Sequence, residues 1–458
     1  MRYVSTRGKA PVLNFEGAML SGLARDGGLY LPERIPAFDG LADLDGLAYD
    51  EVAFRVVRPF TGDSFSDAEL RGAIDRAYAA IEHAAKAPLR QLAPGHHLLE
   101  LFHGPTLAFK DFAMQLIAQL FEIALKRSGE RITIVGATSG DTGSAAIEAF
   151  KGIDNVDVFI LFPHGRVSEV QRRQMTTPTA ENVHALSMTG HFDDCQARLK
   201  DLFNDHAFRD AVGLAGVNSI NWARVVSQIV YYFTATASLG MRPTDFCVPT
   251  GNFGDIFAGS IARAMGLPIR RLIVATNHND ILHRALTAGD YRVGTVEPSI
   301  SPSMDIQVSS NFERALYLAY GGDASAVSQL MEELKAGGFA ISQGALQALR
   351  EQYLSGRVSE NETLDMIRTV RAETGEILCP HSAVGVAVAR RHVEPGVPMV
   401  TLATAHPAKF PDAVEAAIGH RPALPPHMAG LFDRPERVTR VENDVAALKS
   451  LILERRTQ

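Results

Sequence analysis

Five short segments carry residue types that could do chemistry, each where an apolar run gives way to glycine, hydroxyl or proline. Lys110 lies in His103-Gly-Pro-Thr-Leu-Ala-Phe-Lys-Asp111, between Leu107-Ala-Phe109 and Phe112-Ala-Met114. Apolar company disfavours the ammonium form and makes a neutral amine accessible, the nucleophile that a Schiff base needs. The same setting suits a lysine that opens an amphipathic helix and reaches out to water. Taken alone, Lys110 does not decide between the two.

The other segments supply anion-binding groups. In Val248-Pro-Thr-Gly-Asn-Phe-Gly-Asp255 a strand ends in a turn, Gly251, Asn252, Phe253, Gly254 and Asp255, before a helix near Ile256. Glycines allow close backbone approach and a helix start offers free N–H groups, so the turn suits a phosphate, although a plain strand-to-helix connection has the same geometry. It is neither a Gly-x-Gly-x-x-Gly nor a Walker loop. The loop Gly136-Ala-Thr-Ser-Gly-Asp-Thr-Gly143 adds the hydroxyls of Thr138, Ser139 and Thr142 and the carboxylate of Asp141. Such a loop can wrap a carboxylate or phosphate, or simply cap a helix. Two such turns in one sheet imply two anionic groups. Val217-Asn-Ser-Ile-Asn-Trp-Ala-Arg224 offers Asn218, Ser219, Asn221 and Arg224 as an anion clamp at a helix start, with an N-cap the plainer role for Asn218 or Ser219. Thr401-Leu-Ala-Thr-Ala-His-Pro-Ala-Lys-Phe410 places Thr404, His406 and Lys409 after a late strand, where sites in open α/β sheets gather. No His-Glu-x-x-His, no metal-spaced cysteines and no Gly-x-Ser-x-Gly elbow are present, which leaves metal and serine-hydrolase mechanisms without sequence support.

The elements that must position these residues read as α/β. From Arg131 the chain alternates apolar runs (Ile132 to Val135, Val156 to Phe162, Val183 to Met188, Asp245 to Pro249, Leu272 to Ala275) with helical stretches, the rhythm of a parallel sheet covered on both faces. Residues 1–95, punctuated by Pro36, Pro88 and Pro94, read as a small, mainly helical N-terminal domain with a helix over Asp67 to Ala85. Residues 96–458 read as the catalytic region of two α/β subdomains with the site between them. Residues 324–374 read as a helical insertion, with strand signals returning only at Met399 to Leu402. A chain of 458 residues exceeds one ordinary core, so more than one domain is expected. The net charge of −7 gives no general attraction to nucleic acid or anionic membrane. The three cysteines, Cys195, Cys247 and Cys379, form no paired motif, and no apolar run reaches the ~20 residues of a membrane span, so a reduced cytoplasm is expected.

Together with Tyr3-Val-Ser-Thr-Arg-Gly8, Leu23-Ala-Arg-Asp-Gly-Gly-Leu-Tyr-Leu-Pro32 and Thr404-Ala-His-Pro-Ala-Lys409, these segments resemble the threonine synthase family, in its longer bacterial and fungal branch. The resemblance runs in order over nearly the whole chain. It implies the tryptophan-synthase-like fold type II of pyridoxal 5'-phosphate (PLP) enzymes, with two open twisted parallel-sheet domains. It implies a lyase that converts O-phospho-L-homoserine and water to L-threonine and phosphate, with no obligate protein partner. By position, Lys110 is the Schiff-base lysine, Gly251 to Asp255 the cup for the cofactor phosphate, and Thr404 the hydroxyl at the pyridine nitrogen. Thr138, Ser139, Asp141 and Thr142 clasp the substrate carboxylate, with Asp141, where many relatives of the wider fold carry asparagine, approaching the cofactor 3'-oxygen. Arg224, with Asn218, Ser219, Asn221 and Lys409, is expected to grip the substrate phosphate. The alternatives are a phospho-lyase of the same fold that releases 2-oxobutyrate and ammonia, and a non-catalytic relative.

Overall fold

The computed structural model describes residues 1–457. Among them the strands build a five-stranded and a six-stranded sheet, with two two-stranded ribbons beside them. Neighbours in the five-stranded sheet all run parallel, in the order Thr439–Val441, Val183–Met188, Val156–Pro163, Ile132–Ala137, Leu214–Ala215. Val156–Pro163 is buried along its whole length, which is why it shows no polar alternation. Val158, Ile160 and Phe162 face one apolar cluster, and Phe159 and Leu161 face another shared with the C-terminal Leu448 and Ile452.

The six-stranded sheet has the order Tyr353–Arg357, Ile269–Thr276, Thr244–Pro249, Met399–Ala403, His96–Glu100, Leu89–Ala93, parallel except for the last pair. The late strand Met399–Ala403 is thus inserted between two strands from far earlier in the chain. The carboxyl ends of these three adjacent strands lead into the Gly251 turn, Thr404 and the Lys110 segment. The loop over Thr138 to Gly143 and the segment carrying Arg224 follow strand ends of the other sheet. This is the expected two-sheet α/β architecture, with the two anion-binding turns on different sheets rather than in one.

The N-terminal part packs on that frame. Strand Tyr3–Ser5 pairs antiparallel with Tyr30–Pro32; helix Phe15–Ser21 lies between them in the chain, and helices Tyr49–Thr61 and Asp67–Ala79 follow. The last begins with a reciprocal cap between Ser66 and Glu69 and ends short of the expected Ala85. Arg314 ties the ribbon to the catalytic frame. Fully buried, it donates to Tyr30 O at 3.0 and 2.7 Å and to Ile220 O at 2.6 Å, bonds the Asn311 side chain, and lies over the Trp222 ring.

Two expectations about organisation need correction. A boundary at residue 95 would cut a hairpin, because Leu89–Ala93 pairs with His96–Glu100 and closes one edge of the six-stranded sheet. The stretch 324–374 is not purely helical. Gly338–Ala340 pairs with Asp290–Arg292, and Tyr353–Arg357 closes the other edge of the large sheet directly after helix Gln343–Gln352. Both edge strands are short and partly exposed, so they lack the buried apolar run that marks a central strand. No helix among the described residues is long and apolar enough to cross a membrane.

Candidate active site

Lys110 opens helix Lys110–Ser128, yet its side chain is only 12% exposed and its Nζ lies 3.4 Å from Asp141 Oδ2. The residues around it form a rigid mount. Asp111, fully buried, accepts from the Thr106 N–H at 2.9 Å and from its hydroxyl at 2.6 Å, and a Cβ on Gly104 would meet the Asp111 Cβ at 2.5 Å. Burial pushes the Asp111 carboxyl up to about 6 despite those donors. Leu107 takes a left-handed backbone with φ 62°, and Ala108 forms an antiparallel bridge with Ala405. The Phe109 N–H donates to Thr404 O at 2.9 Å and the His406 N–H to Leu107 O at 3.0 Å. One bridge therefore fixes both Lys110 and Thr404. Burial lowers the Lys110 pKa, with Arg224 and Lys409 adding to that and Asp141 opposing it.

Lys110 lines a cavity of about 870 Å³ whose wall includes Thr138, Ser139, Asp141, Thr142, Asn218, Ser219, Arg224, Gly251, Asn252, Phe253, Gly254, Asp255 and Thr404. In the glycine turn Phe253 has φ 63° and its ring packs edge-on against Phe312 and Tyr353, anchoring the start of helix Gly254–Ala264. Among the described residues no acceptor takes the N–H groups of Asn252, Phe253, Gly254 or Asp255. Free donors at a helix start are an anion site. The Asp255 carboxylate is drawn away from it: the hydroxyls of Tyr231 and Tyr232 donate to Oδ1 at 2.6 and 3.0 Å, and burial pushes it up to about 6.

A Cβ at Gly251 would stand 2.5 Å from the backbone oxygen of Ser303, so Gly251→Ala must displace the turn or the Ser303 segment. We expect PLP affinity to fall by about tenfold or more, as a strain of roughly 1–3 kcal/mol dictates, measured by absorbance titration of the apoprotein. Unchanged affinity would mean that the turn does not hold the cofactor.

The second loop divides its labour. Thr138 Oγ1 accepts from the Gly140 and Gly143 N–H groups, both at 2.9 Å, and so braces the loop from within. The N–H groups of Ser139, Asp141 and Thr142 and the hydroxyls of Ser139 and Thr142 have no partner among the described residues. The Asp141 carboxylate is held on both sides. Lys409 Nζ lies 3.0 Å from Oδ1, Gln171 Nε2 donates to Oδ1 at 2.9 Å, and Ser303 Oγ donates to Oδ2 at 3.3 Å. Burial alone would raise its pKa, but the ammonium groups of Lys409 and Lys110 hold it well below the usual carboxylate range.

Among the residues expected on the substrate phosphate, the structure separates two from the rest. Asn221 is fully buried and its amide is committed: Oδ1 caps the Trp222–Ser238 helix through the Ala223 N–H at 3.0 Å, while Nδ2 donates to Met19 O at 2.8 Å and Gly216 O at 3.1 Å. Lys409 has no exposed side-chain surface and stands behind Asp141, outside the cavity wall. Both are therefore corrected from ligand candidates to parts of the frame. Arg224 does face the cavity. Its Nη1 lies 3.5 Å from Val217 O, its Nε has no partner, and burial pulls its pKa down only to about 10, so it is charged at neutral pH. Asp255 bears on it, but among the described residues no carboxylate lies in ion-pair range, and such a buried cation calls for an anion.

Ser303 and His381 also line the cavity, though the five segments contain neither. His381 Nε2 accepts from the Ser303 N–H at 3.1 Å, and burial drops its pKa to about 4, so the ring is neutral. Cys379-Pro380 ahead of it is a readable helix start, with Pro380 in the first turn and Cys379 as the cap. Ser303 sits in an irregular Ser/Pro loop with no pattern to read. Arg7 and Glu313, joined by bonds of 3.1 Å from Nε and Nη2, close the cavity from the N-terminal side.

Comparison with known proteins gives consistent matches along the chain. Residues 2–78 match the family described as threonine synthase N terminus, 88–330 the pyridoxal-phosphate dependent enzyme family, and 382–452 the threonine synthase C-terminal family. Threonine synthase of Pseudomonas aeruginosa is 53% identical over 459 residues, spanning 99% of this chain and 98% of its own length. The crystal structure of PLP-bound threonine synthase from Brucella melitensis superposes with a TM-score of 0.96 at 55% identity over 99% of both chains. The yeast threonine synthase structure gives 0.93 at 40% identity over 99% of this chain and 98% of its own.

Proposed function

The chain belongs to the threonine synthase family, and from that premise we propose that it converts O-phospho-L-homoserine and water to L-threonine and inorganic phosphate, with PLP held at Lys110. The observation that carries the reading is the shared cavity: one buried lysine, two turns with unclaimed N–H groups, and a buried arginine with no counter-ion all face the same space. A substrate with a carboxylate and a phosphate, together with a cofactor that brings its own phosphate, supplies the anions these donors lack.

The residues fit PLP. Gly251 to Asp255 would hold its phosphate, the Thr404 hydroxyl, bonded to no other side chain, its ring nitrogen, and Asp141 its 3'-oxygen. When bound, PLP supplies an electron sink for charge developing on the substrate carbons. The protein supplies position and proton transfer. Ser139 and Thr142 hold the substrate carboxylate through backbone N–H and hydroxyl groups, with Thr138 bracing the loop. Arg224, with Asn218 and Ser219, holds the substrate phosphate and stabilises it as it leaves Cγ. Lys110 Nζ, depressed in pKa by burial, takes the proton from Cα and then one from Cβ; phosphate leaves Cγ, and a proton is delivered to Cγ, which becomes the methyl carbon. Water then adds at Cβ and a proton returns to Cα.

Incubation with O-phospho-L-homoserine tests the outcome. L-threonine and phosphate are expected in equal amounts. Formation of 2-oxobutyrate and ammonia without threonine would establish the phospho-lyase instead, and a protein that never develops visible absorption after PLP is added would be a non-catalytic relative.

A further inference from the structure

Lys409 completes a buried charge chain to which the chemistry above gives no task. Its Nζ reaches Asp141 Oδ1 at 3.0 Å and Ser144 Oγ at 3.4 Å, and its side chain has no exposed surface. It is fixed at both ends of its backbone, the N–H donating to His406 O at 3.0 Å and the carbonyl accepting from Ser168 Oγ at 2.9 Å. It stands outside the cavity wall. The Asp141 oxygen that Lys409 leaves free faces Lys110 at 3.4 Å and Ser303 Oγ at 3.3 Å.

A buried carboxylate without a counter-ion takes up a proton. Lys110 cannot be a constant counter-ion to Asp141, because an amine that moves protons must lose its charge. The remaining titratable neighbours do not replace it. His381 is neutral, Cys379 is a buried thiol pushed up by burial, and Asp111, a second carboxyl that feels Lys409, brings no positive charge. Arg224 and Asp255 bear on Lys110 and form no ion pair with Asp141. Among the described residues only Lys110 and Lys409 pair with Asp141.

We propose that Lys409 is a positioning residue that keeps Asp141 a carboxylate throughout the cycle, whatever the charge on Lys110. The Asp141–Lys409 pair is net neutral and presents an oxygen acceptor to the cavity with its charge offset from behind. The cofactor-facing consequence rests on the reading that PLP is bound at Lys110. The pairing itself rests on geometry alone.

The sign of the pH dependence follows. Asp141 is depressed by its lysines, so it stays ionised across neutral pH and protonates only as pH falls well below the usual carboxylate range. Without Lys409 that protonation moves upward. Full-length wild-type, Lys409→Met, Asp141→Asn and the double variant, each loaded with PLP, are titrated from about pH 5 to about pH 9 by visible absorption and melted at pH 7. Asp111 and Asp255, both pushed up to about 6, can contribute an acid limb common to all four proteins, whereas Lys409→Met should add a second acid limb inside this range that the wild type lacks, as Asp141 loses the charge that keeps it ionised. Each single variant leaves one buried charge unpaired and should lose on the order of 5–10 °C in Tm, and the double variant should regain at least half of that and lose the second acid limb. A Lys409→Met protein with the wild-type pH response, or a double variant no more stable than either single, overturns the proposal. If Lys409→Met does not fold, a folded double variant supports it and an unfolded one overturns it. A wild-type protein without a visible band refutes PLP at Lys110, and the melting comparison still decides the pair.

Discussion

Replacing Lys110 with alanine is expected to reduce turnover of O-phospho-L-homoserine by about 10³-fold or more and to abolish the visible band of the bound cofactor, while the protein stays folded. General acid–base transfer by one positioned group is worth roughly 10²–10⁴-fold, and here one amine serves at both Cα and Cβ. Folding should survive because the lysine is not a keystone. The mount around it is built from Asp111, Thr106 and the Ala108–Ala405 bridge, and Asp141 keeps Lys409 as its counter-ion. Steady-state kinetics, an absorption spectrum and a melting curve on one preparation make the check. A variant within tenfold of wild-type activity would remove Lys110 from the mechanism. A large loss of Tm would assign it to the fold instead.

Arg224→Met is expected to lower kcat/KM by about 10²–10³-fold and to leave the apoprotein as stable as before, or more so. The two effects have one cause. Without an anion, the guanidinium is a buried charge whose Nε has no acceptor and whose Nη1 reaches a carbonyl only at 3.5 Å, so an apolar side chain of similar reach removes a cost. With the substrate phosphate in place, the same group becomes half of a buried charge pair, and losing it costs about 2–4 kcal/mol. Inorganic phosphate should also inhibit the variant less. A fall in Tm with unchanged kinetics would show that Arg224 holds the helix start rather than the substrate.

The parts of the site written as backbone are legible in the sequence. Gly251, Gly254 and the Thr138–Gly143 loop announce themselves because a buried parallel strand must be an apolar run and its exit must be glycine or hydroxyl, so strand ends, and with them the site, can be found by eye. Side-chain direction is not legible in the same way. Asn218, Ser219 and Asn221 are interchangeable on paper, since each can cap a helix or bind an anion. Only the packing of Asn221 against Met19 and Gly216 settles that it is the cap. Lys409 reads as one more cation beside Thr404, and its turn inward to Asp141 depends on a loop from the other sheet. Ser303 meets the site from a segment with no pattern of its own, and the helix start before His381 is readable without showing that it faces the site. The edge strand Tyr353–Arg357 hides behind a helix-forming run because an edge needs no continuous apolar face.

The threading of Met399–Ala403 between Thr244–Pro249 and His96–Glu100 has a consequence for the order of events during synthesis. The slot beside the Lys110 segment stays open until Thr404 and Ala405, which clamp that segment, have been made some three hundred residues later. Until then the central slot is an exposed pair of strand edges that invites mispairing. Closing it joins residues some three hundred positions apart, the kind of contact that makes folding slow. Capture of a cofactor at Lys110 is then expected only after this strand has docked.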